Sequence, residues 1–117
     1  MREISAEELL EQFTETVERL AAPAASQLAW LIEKRVPVYE LMDEFTESID
    51  TGWITRLREA GLLTATAERY LGDLEHALDG LPKDRAFWTD DALRTAAEWQ
   101  HVRDVASRAL TAVAAAP

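Results

Sequence analysis

The sequence predicts an all-α protein, a compact single-domain bundle of about five to six helices over residues 1–117. Three observations carry that prediction. Every substantial apolar pattern repeats with the period of a helix, and no stretch alternates apolar and polar residues over a strand's length. Capping residues before these patterns and glycines after them divide the chain at short intervals. A chain of 117 residues, 48% hydrophobic and 29% charged, can fill one core but not two.

The elements follow in order. Ser5-Ala6-Glu7-Glu8 is a capping box, and Leu10, Phe13, Val17 and Leu20 form one face of helix 1 until Ala21-Ala22-Pro23 ends it. Helix 2, about Ala24 to Arg35, packs through Leu28, Leu31 and Ile32. Pro37 stands at or near the first turn of helix 3, whose stripe is Val38, Leu41, Met42, Phe45 and Ile49. A short helix 4, about Thr51 to Ala60, stops at Gly61-Leu62 in the order of a Schellman ending. Thr64 or Thr66 caps helix 5, which turns Ala67, Tyr70, Leu71, Leu74, Leu78 and Leu81 inward and ends the same way at Gly80-Leu81-Pro82. Gly72 in its middle costs about 1 kcal/mol against alanine and predicts a close helix contact. Thr89 with Asp90 and Asp91 opens helix 6, with Trp88 and Leu93 spaced as a hydrophobic staple. Trp99, Val102, Ala106, Leu110 and Val113 continue its buried face. Trp53 and Trp99 lie on apolar stripes.

Composition excludes whole classes of function. With no cysteine, disulfide scaffolds, thiolate metal sites and thiol catalysis are absent. The first residues run into a charged helix without an apolar leader, and nothing approaches a membrane span, so the expected location is the cytoplasm. A net charge of −10 opposes binding to phosphate backbones and points to a basic protein as partner. Ten Arg against Lys34 and Lys83, with abundant alanine, is a usage associated with GC-rich bacterial genomes.

Few constellations carry chemistry. Asp73 and His76 on helix 5, and Glu98 and His101 on helix 6, place an acid three residues before a histidine, the spacing of di-iron helical bundles. The acids of helix 1, Glu8, Glu11, Glu15 and Glu18, lie opposite Phe13 and Val17 and so face water. Both histidines sit beside their apolar stripes, and no metal or other cofactor is expected. Helix 4, Gly61 and helix 5 have the length of a helix-turn-helix. Glu68, Asp73, Glu75 and Asp79 against the single Arg69 would nevertheless repel DNA. No phosphate loop, Ser-His-Asp set or HExxH occurs, so no catalytic residue is assigned and the chain is not read as an enzyme.

Helix 3 is the informative element. Glu40, Asp43, Glu44, Glu47 and Asp50 occupy it with no basic residue between Val38 and Gly52. On the wheel they oppose the apolar stripe and form one solvent-facing ridge, although like charges at i,i+3 and i,i+4 weaken a helix. The bland alternative is a solubilising face. Trp30 falls opposite Leu28, Leu31 and Ile32, beside Glu33, and Tyr39 flanks the stripe of helix 3. Exposed aromatics beside acids are the make-up of an interface hot spot. The expected partner-binding set is therefore Trp30, Glu33, Tyr39, Glu40, Asp43, Glu44, Glu47 and Asp50.

The segment Leu31-Ile32-Glu33 through Val38-Tyr39-Glu40-Leu41-Met42 to Ile49 resembles the middle of small all-helical immunity proteins of bacterial polymorphic-toxin systems, over about a third of the chain. That resemblance implies a protein that binds a toxin's catalytic domain, often a basic nuclease, and covers its active site. The reading is thus a protein-binding, antitoxin-like domain. The rivals are a small helical metal protein or enzyme using His76 and His101, and a homodimeric bundle that buries Trp30 against its own copy.

Overall fold

The first helix begins where Ser5 accepts a hydrogen bond from the Glu8 N–H at 3.1 Å. The computed structural model describes residues 4–115, and these form seven α-helices without a strand. They are α1 (Ala6–Ala21), α2 (Ala24–Lys34), α3 (Glu40–Asp50), α4 (Trp53–Glu59), α5 (Ala65–Asp79), α6 (Asp90–Thr95) and α7 (Ala97–Ala114), with a 3-10 turn at Arg85–Phe87. Thr64 caps α5 through the Ala67 N–H at 3.0 Å, and Thr89 caps α6 through the Ala92 N–H at 3.1 Å. Each such cap contributes about 1 kcal/mol.

The longest helix, α7, packs along both α1 and α5, and these are the most extensive contacts of the molecule. Ala106 and Ala109, both fully buried, let the flanking helices approach α7 closely. On the far side of α1 lie α3 and α4, while α6 contacts α2 and α7. The core combines Leu9, Phe13, Val17 and Leu20 of α1 with Leu41 and Phe45 of α3, Leu71, Leu74 and Leu78 of α5, and Trp99 and Val102 of α7. Two aromatic clusters anchor it. Phe13 stacks on Phe45 at 5.8 Å with Trp53 edge-on at 6.2 Å, and Phe87, Trp88 and Trp99 meet at 5.6 to 5.9 Å.

Several local expectations are corrected. The expected sixth helix is two, because Ala96 is extended (φ −73°, ψ 132°) and breaks it. On a continuous helix Leu93 and Trp99, six residues apart, would point about 120° from each other. The break lets both be fully buried. Leu9 takes the core position expected of Leu10, which is half-buried. Helix 3 starts at Glu40, and its buried face is Leu41, Phe45 and Ser48, with Met42 and Ile49 at the edges.

On α2 the inward residues are Gln27 and Leu31, and Ile32 is 74% exposed. The helix ends on Arg35 in the left-handed region (φ 57°), with the Val36 N–H donating to the Leu31 carbonyl at 3.1 Å, a Schellman ending without glycine. Gly61 makes the expected left-handed ending at φ 74°, with Leu62 N–H on the Leu57 carbonyl. Gly80 does not: it stays right-handed at φ −82°. Gly72 is exposed, and a Cβ there would meet nothing within 4 Å, so no close helix contact explains it.

Candidate protein-binding face

Thr16 on α1 and Ser48 on α3 face each other's helices as small, buried hydroxyls. Ser48 turns back on its own backbone, donating to the Glu44 carbonyl at 2.9 Å, while the single Thr16 hydroxyl proton is shared between the Gln12 carbonyl at 3.3 Å and the Glu44 carboxylate. Two short side chains at a helix contact leave space between the longer ones, and a groove of about 660 Å³ opens there. Gln12, Glu15 and Arg19 of α1 form one wall, Glu44 and Glu47 of α3 the other, and Thr51 and Trp53 also line it.

Its charges are arranged asymmetrically. Arg19 is the only basic residue of α1, and it forms an ion pair with Glu44, which also accepts from Thr16 Oγ1 at 3.1 Å. The Arg19 guanidinium lies over the Trp30 ring at 4.1 Å from its centroid, so one side chain links α1, α2 and α3. Glu15 and Glu47 are exposed and make no ion pair among the described residues. The negative surface continues along α1, where Glu7, Glu11, Glu15 and Glu18 border a shallower concavity with Leu10 and Thr14.

The expected ridge is therefore divided. Glu44 faces α1 instead of solvent, because a single-helix wheel takes no account of the neighbouring Arg19. Glu47 is on the groove, whereas Glu40, Asp43 and Asp50 are not among its lining residues. Glu40 and Asp43 are half-buried, and Asp50 and Glu33 are exposed. Tyr39 is exposed as expected, at 48%. Trp30 is corrected: it is partly buried, packed on the core and covered on one face by Arg19. The exposed aliphatic residue of α2 is instead Ile32.

The α1 wall was not anticipated, although the single arginine in an otherwise acidic helix was its signal. His76 and His101 are both exposed, and among the described residues no three His, Asp or Glu side chains come together to hold a metal. No described helix is long and apolar enough to cross a membrane.

A second polar centre lies in the interior. Gln27, fully buried, donates to the Arg19 and Leu20 carbonyls at 3.0 and 3.2 Å and accepts from Arg103 Nε at 3.0 Å. Arg103, 5% exposed, also donates to Gln100 Oε1 at 3.1 Å and to the Leu93 carbonyl freed by the break after α6. Burial pushes the Arg103 guanidinium below its ordinary pKa, with nearby Asp104 acting in the opposite direction. At the surface, Arg58 of α4 is raised by its hydrogen bond to Glu68 of α5, and the pair ties the two helices together. No protein-family model, curated protein or solved structure matches the chain.

Proposed function

We propose that this chain is a protein-binding domain of the immunity or antitoxin kind, taking a basic partner into the acidic groove between α1 and α3. The observation that carries the reading is the pair of exposed carboxylates, Glu15 and Glu47, lining a groove whose only guanidinium among the described residues, Arg19, is already held by Glu44. An arriving arginine or lysine would find two carboxylates to accept its hydrogen bonds. The net charge of −10 would steer a basic partner toward this face and slow approach to any nucleic acid. Tyr39 and Ile32, the two large hydrophobic residues most open to solvent, supply apolar area near the start of α3 and the end of α2. The resemblance of residues 31–49 to immunity proteins supports a toxin domain as the partner.

The test is surface plasmon resonance of the chain against the toxin catalytic domain encoded beside it, with Glu15→Lys and Glu47→Lys combined. The double variant is expected to associate at least tenfold more slowly, with the difference shrinking as salt rises. Its melting temperature should be unchanged or slightly higher, because like-charge repulsion falls. Undiminished binding by the double variant would remove the groove as the interface, and the absence of any neighbouring toxin gene would remove the immunity assignment.

A further inference from the structure

Arg103 carries its charge into the interior without an ion pair among the described residues. Of its five N–H groups, three are used by Gln27, Gln100 and the Leu93 carbonyl. The remaining two have no acceptor among the described residues. Each of its three nitrogens is held by one acceptor, and the two N–H groups left over can meet an anion in an adjoining space.

An opening does reach it. A cavity of about 350 Å³, open to solvent, lies between the α1–α2 corner and α7, and Arg103 lines it. Arg94 lines the same cavity and is loosely engaged, 3.7 Å from Asp91 and largely exposed, so its guanidinium is free to reorient. The Ser107 side chain lines a further part of the wall. Pro23 and Ala24, the start of α2, complete it, and no side chain caps that helix. The Ser26 and Gln27 N–H groups already donate to the Pro23 carbonyl, so those of Ala24 and Ala25 are the ones that can add donors to the two arginines. Asp104 is the one acid on the wall, and its carboxylate accepts from the Gln100 side-chain amide at 3.0 Å.

We propose that the cavity bounded by Arg103, Arg94 and the start of α2 binds a small oxyanion, the phosphate group of a small molecule. The forked guanidinium suits two oxygens of a tetrahedral phosphate better than it suits a halide. The volume accommodates a phosphate with a short organic substituent, while the negative surface elsewhere excludes a polynucleotide. This site is separate from the groove between α1 and α3, and its occupancy does not depend on the protein-binding reading.

The experiment is a heteronuclear NMR titration of the whole chain with inorganic phosphate and, separately, with glycerol 3-phosphate, against sodium chloride at equal ionic strength. The expected result is saturable shifts of the Ala24 and Ala25 amides and of Arg103 Nε, with chloride giving none. Tighter binding of the monoester assigns the site to an esterified phosphate, and tighter binding of the free ion to inorganic phosphate. Arg94→Gln, at an exposed position where the fold is insensitive, should weaken binding about tenfold, the loss of one charged hydrogen bond. Ala24→Pro removes one backbone donor at a helix position that tolerates proline and should weaken binding severalfold. A response that does not saturate, that is shared by exposed arginines such as Arg108, or that survives Arg94→Gln unchanged overturns the proposal.

Discussion

Gln27 does more than fill space, because its amide group is the joint through which three helices share hydrogen bonds. It gives two protons to carbonyls of the last turn of α1 and takes one from Arg103. Replacing it with leucine keeps the volume but leaves the Arg103 Nε–H and two carbonyls without that partner in a dry site. The expected loss of stability is about 2–4 kcal/mol, measured by urea unfolding at neutral pH. Gln27→Glu sharpens the point. A carboxylate would pair with Arg103 but present oxygens to the Arg19 and Leu20 carbonyls, so it too should destabilise despite the added ion pair. A stability equal to the parent in both variants would show that the joint contributes nothing. The sequence concealed this centre because Gln27 and Arg103 are polar residue types at core positions. Their only sign was register, Gln27 four residues before Leu31 and Arg103 four after Trp99.

At the scale of the helix, two substitutions should act in the direction opposite to most mutations. Arg35 ends α2 at φ 57°, where a side chain costs about 1 kcal/mol and glycine does not. Arg35→Gly should therefore stabilise by up to about 1 kcal/mol. Gly72 stands in the middle of α5 with open space around it, so Gly72→Ala should add about 0.5–1 kcal/mol. Thermal melts of the two single variants and their combination check both values, and a lowered melting temperature for Gly72→Ala would mean that the glycine has a contact role after all. The caps at Ser5, Thr64 and Thr89 and the ending at Gly61 were legible because their chemistry is local. The ending at Arg35 was not, since nothing in its residue type announces a left-handed backbone. The orientation of α2 was misjudged for a related reason. Leu28, Leu31 and Ile32 outnumber Gln27, yet the two carbonyls of α1 attract Gln27 inward, and Ile32 turns out to water. Glu44 was placed on the wrong side because only the neighbouring helix holds its partner.

The whole molecule carries −10 of net charge, and α1 and α3 together hold ten acids against the single Arg19. Self-repulsion of that kind is screened by salt, so melting should rise by several degrees between about 10 mM and about 0.5 M sodium chloride at neutral pH. A differential scanning calorimetry series measures it, and a flat response would show that the acidic face costs the fold nothing. The all-helical class was readable because every apolar stripe had the same period, whereas the groove required knowing which helices are neighbours. The pairing of α7 with α1 sets a further constraint, on the order of events during synthesis. The partners of α1 in the core belong to helices made later, and α7, which closes it against α5, is the last of the described helices. Until α7 has left the ribosome, the apolar faces of α1 and α5 are without their main cover, so the bundle cannot assemble cooperatively one helix at a time. Until α7 is made, those apolar faces are open to chaperones and to aggregation, and cooperative folding waits for that one helix.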